Sequence, residues 1–425
     1  MYWCPSLPNQ EASCKLKSLT KRREKPHVTI KLVQPAKPTV LQVIPSLGTG
    51  GAERTTVDMA RALRAQGCRA LVASRGGRLV RELEQIGAEH IEMPVHSKNP
   101  VVMGLNVERL TRLIEKENVD IVHARSRAPA WSALAAARRT KRPFVTTYHS
   151  KVHERPRLKV FYNSVMTRGA VVIANSDFTA ERIRKFHGET GAKIVTIPRG
   201  TDMKEFDPIG PAVKCAKALR EKWGAGAGDT LFLLAGRLTR WKGQLLATEA
   251  LGLMNERLGS AAASAKLVLV GDAQGRTDYE DEIKSAVEAH TPALRVRLVG
   301  HCDDMPAACS AADIVLAPSL DPEPFGRSAV EAQAMARPVI VADHGGAKDT
   351  VLDAADPGGA AAATGWRVTP GDAGALATAM AEALSANAPD RAAMGARGRA
   401  FVEEQFSVTA MTDRTLAVYR DLLDA

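Results

Sequence analysis

Two short runs hold residues whose types and spacing could manage a diphosphate and a sugar. In Gly236-Arg237-Leu238-Thr239-Arg240-Trp241-Lys242-Gly243, Arg237 and Lys242 stand five residues apart, directly after the apolar run LFLLA. At the carboxyl end of a strand and the start of a helix they could converge on one diphosphate. Arginine offers a planar fork to paired oxygens and lysine a mobile point charge. As bare residues they are equally a solvated helix start. The second run, Glu323-Pro324-Phe325-Gly326-Arg327-Ser328-Ala329-Val330-Glu331, follows DIVLAPS and carries carboxylates seven residues apart. A carboxylate accepts hydrogen bonds from neighbouring sugar hydroxyls. The spacing places Glu323 in a loop and Glu331 on the helix after it, with the backbone N–H groups of Phe325, Gly326, Arg327 and Ser328 opening that helix toward anions.

A third element lies far upstream. Gly48, Gly50 and Gly51 follow VLQVIP and precede an amphipathic stretch, the pattern of a strand-to-helix turn that attracts anions. A dinucleotide fingerprint needs a glycine at position 53, which is Glu53, and the Gly-Lys-Ser/Thr of a Walker loop is missing. The glycines alone also fit a turn that serves only packing.

Something must position these runs. From Val40 onward, short apolar runs rich in β-branched residues alternate with amphipathic stretches: 40–45, 70–73, 119–123, 143–148, 170–174 and 193–197. The segment 202–230, with Pro208, Gly210, Pro211 and glycines from 224 to 228, reads as a linker. The alternation resumes at 231–235, 266–270, 295–299, 313–317, 338–342 and 365–368, and a helical pattern closes the chain from Phe406 to Leu423. Continuous apolar runs mark strands buried on both faces, hence parallel sheets clad by helices. The predicted fold class is α/β, two doubly wound Rossmann-like domains facing across a cleft, with ligands at the strands' carboxyl ends.

Composition narrows the partners. The first 40 residues carry five prolines, Pro5, Pro8, Pro26, Pro35 and Pro38, and 8 Lys/Arg against 2 Asp/Glu, with no apolar period. Residues 1–38 therefore read as a basic disordered tail. Residues 41–212 carry 28 cations against 17 acids, and the remainder is net acidic. That asymmetry, with aromatics at only 4%, argues against a nucleic-acid partner and suggests that the first domain faces an anionic surface such as a bilayer. Six cysteines without a CxxC pair read as reduced thiols, and no apolar run marks a membrane span or secretory signal. A cytoplasmic protein is expected. No Asp-x-Asp occurs, so no metal and no other cofactor is expected.

Taken together, GRLTRWKG, EPFGRSAVE and AQAMARPVIVADHGGAKDTV resemble the retaining glycosyltransferase family 4 of the GT-B fold. GTGGAE, VDIVHARS, TTYHS and ANSDFT match in the same order, so the resemblance spans about residues 40–420. It implies an N-terminal acceptor-side domain over 39–208, a nucleotide-sugar-binding domain over 209–395, and C-terminal helices over 396–425 that return to the first domain. Arg237 and Lys242 would bind the donor diphosphate, Glu331 the ribose, and Glu323 would lie by the transferred sugar. His149, at the Thr-x-His position, would contact donor sugar and acceptor, and Gly50 and Gly51 would leave room for the diphosphate. Departures from the family pattern fall at Pro198-Arg199-Gly200 and Met335-Ala336-Arg337. The implied partners are a nucleotide-sugar donor and a glycolipid or polysaccharide acceptor, as in bacterial lipopolysaccharide synthesis. Lys151, Arg155, Arg157 and Lys159, beside Val160, Phe161, Tyr162 and Val165, would meet the inner face of the cytoplasmic membrane. A catalytically silent sugar-nucleotide binder and a nucleotide-sugar epimerase are the alternatives. The intact Arg237, Lys242, Glu323, Glu331 and His149 weigh against the first.

Overall fold

Buried β-branched runs become strands at each expected place. The computed structural model describes residues 37–48, 50–149, 157–188, 190–275, 277–290 and 295–425. The tail expected over 1–38 lies outside them up to residue 36. The strands of the first lobe are β1 Thr39–Val43, β2 Arg69–Ser74, β3 Glu89–Glu92, β4 Ile121–Ala124, β5 Phe144–Tyr148, β6 Val171–Ala174 and β7 Lys193–Thr196. They pair in parallel in the order β3-β2-β1-β4-β5-β6-β7. The second lobe holds β8 Thr230–Ala235, β9 Ala265–Val270, β10 Val296–Leu298, β11 Ile314–Ala317, β12 Val339–Ala342 and β13 Gly365–Val368. Their order is β10-β9-β8-β11-β12-β13, again parallel. Lys37–Ala425 form one compact unit.

Each sheet reverses its winding once, between β1 and β4 and between β8 and β11. A crevice opens at such a point because the flanking helices leave on opposite faces. The glycine turn follows β1, GRLTRWKG follows β8, and EPFGR follows β11, so all three runs stand at switch points.

The stretch 202–230 is not all linker. Ala212–Lys222 form a helix with Ala216 buried against the second-lobe core. Its amphipathic pattern lies between Pro211 and Gly224 and reads as punctuation when those are weighed first. β3 is also missing from the sequence reading, because its residues EHIE sit at the sheet edge and are only partly covered.

The chain's end ties the lobes together. Helix Ala388–Phe406 packs Val402 and Phe406 into the second-lobe core. The chain then crosses at Ser407, where Thr201 N donates to Phe406 O at 2.7 Å and Val408 N to Thr201 O at 3.1 Å. Helix Val408–Leu423 lays Met411, Val418 and Tyr419 on the first-lobe core. A second seam runs through the EPFG loop, where Ser176 Oγ donates to Pro324 O at 2.5 Å. Asp177 N meets Asp349 Oδ2 at 3.0 Å.

Candidate functional site

β8 ends at Ala235, and the chain turns through Gly236 and Arg237 into a short 3-10 turn, Arg240–Lys242. Two glycines make this approach feasible. A Cβ on Gly271 would collide with the carbonyl of Gly236, and one on Gly243, which has φ +79°, with the carbonyl of Pro318. Gly236 itself leaves space for the Lys242 stem, whose carbons lie 3.5 Å from where its Cβ would be. Lys242 thereby reaches across to the β11 loop, where its Nζ donates to Glu323 Oε1 at 2.7 Å. Ser319 Oγ donates to the same carboxylate oxygen. Both charged side chains are about 15% exposed, at 14% and 15%, which makes the pair a mostly desolvated one. Arg237 stays exposed at the rim.

Gly326, at φ +90°, opens helix Arg327–Ala334, and the helix has no side-chain cap, so its first N–H groups face the crevice. Glu331 lies on this helix and Glu323 in the loop before it, as the spacing predicted. Arg327 donates from Nη2 to Glu331 Oε1 at 2.6 Å, one helical turn apart. A cavity of about 300 Å³ is rimmed by Gly236, Arg237, Asp272, Ser328 and Glu331, among others. Phe325 is buried in the second-lobe core, which anchors the loop. Among the described residues, no group of three or more His, Cys, Asp or Glu side chains is placed to hold a metal ion.

Across the cleft, Gly50 caps helix Gly51–Ala65 without a side-chain hydrogen bond. His149 follows β5, and burial, reinforced by Arg199, Arg125 and His123, holds its pKa well below the ordinary histidine value. Neither ring nitrogen has a partner among the described residues. His123, in contrast, is a packed residue, bonded to Tyr419 Oη at 2.6 Å and Thr147 Oγ1 at 2.7 Å.

This geometry places paired cations and carboxylates at one switch point and a partly buried neutral histidine opposite. The family model of Glycosyltransferase Family 4 matches residues 49–205, and that of Glycosyl transferases group 1 matches residues 216–401. The crystal structure of a glycosyltransferase from Rickettsia africae is 33% identical, with a TM-score of 0.79, over 91% of this chain and 99% of that one. The chain belongs to the glycosyltransferases. HepE from Anabaena, solved with UDP and glucose, shares the fold at a TM-score of 0.71 and 24% identity, over 90% of this chain and 99% of that one. A D-inositol 3-phosphate glycosyltransferase from Xylanimonas cellulosilytica is 30% identical over 251 residues, 55% of this chain. The match spans 58% of that relative, so the chain covers a little over half the length of such curated relatives.

Several residues of this glycosyltransferase fold escaped sequence reasoning. The Lys242–Glu323 contact joins positions 81 apart, and Ser319, four residues before Glu323, shares that carboxylate oxygen. Arg125 is buried behind the glycine turn and donates to Thr55 Oγ1 at 2.8 Å. Arg199, visible only as a departure from the family pattern, donates from Nη2 to the carbonyl of His149 at 3.1 Å. Asp304 caps its helix through Ala307 N at 2.8 Å, as a helix-start acid should.

Of the cations expected to face acceptor and membrane, Lys151 and Arg155 lie outside the described residues, and Arg157 begins helix Arg157–Asn163. Lys159 is exposed, with Leu158 at 82% and Phe161 at 61% exposure beside it. Val165 is not part of that surface, because the turn after Asn163 swings it into the first-lobe core. Arg168 stacks over both Trp131 and Phe161, at 5.1 and 5.5 Å from the ring centroids. No described helix is long and apolar enough to cross a membrane.

Proposed function

We propose that this protein is a retaining glycosyltransferase that moves a sugar from a UDP- or GDP-sugar to a glycolipid or saccharide acceptor, without a metal. The observation that carries the reading is the crevice at the β8/β11 switch point. There Arg237 and the helix start at Arg327 and Ser328 line one cavity with Glu331, and Lys242 packs against Gly236 on its wall, paired with Glu323. Arg237 and Lys242 bind the diphosphate, Glu331 takes the ribose hydroxyls, and Glu323 orients the transferred sugar. Gly50 and Gly51 admit the phosphates from the first lobe. Backbone N–H groups from Phe325 to Ser328 add fixed dipoles, and such preorganised charge acts chiefly where negative charge builds on the leaving group. The bond from the anomeric carbon to the phosphate oxygen breaks with its electron pair staying on oxygen. The acceptor hydroxyl forms the new bond on the same face and gives its proton to that oxygen. Neutral His149 lines the sugar's other side as a hydrogen-bonding group rather than a cation.

The neighbour solved with UDP and glucose and the relative named D-inositol 3-phosphate glycosyltransferase support a nucleotide-sugar donor and a polar acceptor. The basic first lobe with exposed Leu158 and Phe161 favours a lipid-linked acceptor, met at the inner face of the cytoplasmic membrane during surface-polysaccharide or lipopolysaccharide synthesis. A thermal-shift panel of UDP, GDP and their sugar conjugates tests the donor, since a bound ligand raises apparent stability. No shift with any of them would sink the reading. Flotation with anionic vesicles tests the membrane side. Binding should weaken with salt and vanish when Arg155, Arg157 and Lys159 are all changed to Glu.

A further inference from the structure

Arg199 stands at the meeting of the two lobes with no acid to meet its charge. Its Nη2 is held by the His149 carbonyl, and its Nε is enclosed without a partner among the described residues. No described carboxylate lies within ion-pair distance of it. Arg327 and Arg125 act on it as like charges, and Glu53 alone opposes them. Burial first, and then those two cations, push its pKa down to about 10. A partly buried cation without a counter-charge is costly and is kept where a ligand supplies the anion.

The geometry says where that anion would lie. A Cβ on Gly51 would come within 2.8 Å of Arg199 Nη1 and 3.5 Å of Arg327 Nη1. One point above the first residue of helix Gly51–Ala65 is therefore approached by a first-lobe guanidinium and a second-lobe guanidinium. The helix of 15 residues adds its positive end there. Arg327 and Glu331 line both this space, a cavity of about 380 Å³, and the nucleotide cavity next to it. An anion between the two arginines is thus continuous with a nucleotide held at Glu331.

We propose that Arg199 is a further cation for the donor's β-phosphate, delivered by the first lobe and working with Arg327 on the second. The inference rests on the donor reading above and extends it. Arg237 and Lys242 belong wholly to the second lobe and can hold the diphosphate whether or not the lobes meet. Arg199 reaches it only when they do. As the anomeric C–O bond breaks and its electron pair goes to the β-phosphate oxygen, the added charge appears beside Arg199. Closing the cleft and neutralising the leaving group become one event.

Arg199→Gln and Arg199→Lys, with Arg237→Ala as a control, test this by calorimetry with UMP, UDP, GMP and GDP. The donor's slow hydrolysis by water is followed without any acceptor. Arg199→Gln should bind the monophosphate normally, lose part of the diphosphate's extra affinity, and hydrolyse donor about tenfold more slowly or worse. Arg199→Lys should fall between it and the unaltered protein. Should the glutamine variant fold poorly, Gly51→Ala displaces the same guanidinium and should reproduce the slower hydrolysis. Unchanged diphosphate affinity and hydrolysis in Arg199→Gln, with both lost in Arg237→Ala, overturns the inference and leaves the donor reading standing. A rise confined to the acceptor KM also overturns it, by assigning the anion to the acceptor. If Arg237→Ala changes nothing either, the donor reading itself has failed.

Discussion

The two walls of the cleft meet their charges in opposite ways. On the second-lobe wall, Lys242 is paired with Glu323 and Arg327 with Glu331, so each carboxylate already has its cation. On the first-lobe wall, Arg199 has no acid and both nitrogens of His149 are unmet among the described residues. Buried polar groups left without partners cost stability, and a chain keeps them where something else completes them. On the proposed reading, the second lobe is a preorganised binding half, and the first is a closing half completed by substrate between the walls.

The largest effect should come from breaking the preorganised wall at its cations. Lys242→Ala or Arg237→Ala removes a charge-assisted contact to the leaving group, worth about 1.5–3 kcal/mol, or roughly tenfold or more in turnover. The two should differ in stability. Arg237 is exposed, so its loss should leave the melting temperature in place. Losing Lys242 strands the mostly buried Glu323 and should lower it. Near-normal transfer rates in both variants would break the comparison at its root.

The glutamates sharpen it further. Glu331→Ala should weaken binding of a plain nucleoside diphosphate, because a ribose contact is present in ground and transition states alike. Glu323→Ala should lower turnover instead. Because Glu323 occupies Lys242 Nζ, removing it frees the lysine, so diphosphate affinity should hold or rise. Calorimetry separates the two, and equal losses of affinity would refute the division of roles.

How much of this was legible in the sequence follows from the range of each signal. Continuous apolar runs such as LFLLA and VVIA announce strands locally, and so twelve strands and two lobes could be read directly. β3 could not, since an edge strand of alternating EHIE needs no apolar run. The helix Ala212–Lys222 was hidden by the proline and glycine around it. Arg327 and Glu331 share one turn and could have been paired by spacing. Lys242–Glu323 spans 81 positions and His123–Tyr419 spans 296, and no local rule reaches so far. Arg199 was visible only as a residue out of pattern; its meaning lies in what surrounds it in space.

The smallest effect concerns pH, and most of the groups behind it lie in the first lobe. His123 is buried and His149 has both ring nitrogens enclosed, and burial is the first cause holding each pKa well below the ordinary value near 6.5. In the unfolded chain they take up protons once the pH falls below that value, while in the folded chain they do not. The stability they permit is thus present above about pH 6.5 and is lost as the pH falls toward their folded values, by up to about 1.4 kcal/mol per unit for each histidine. Asp58 works the other way. Burial raises its pKa to about 6 against Arg54 and Arg61, so the folded state binds the proton first and gains stability below pH 6. Burial likewise lowers His90 and His187 and raises Glu205 and Asp349, so four histidines stand against three acids, and between pH 7 and 5 the unaltered protein should lose stability in urea titrations. His149→Asn removes one of the four lowered rings without touching the Tyr419 and Thr147 bonds of His123, so it should flatten that slope. An unchanged slope in His149→Asn would mean that this ring already titrates freely, and the first-lobe wall would then not be the closed, unsatisfied surface described here.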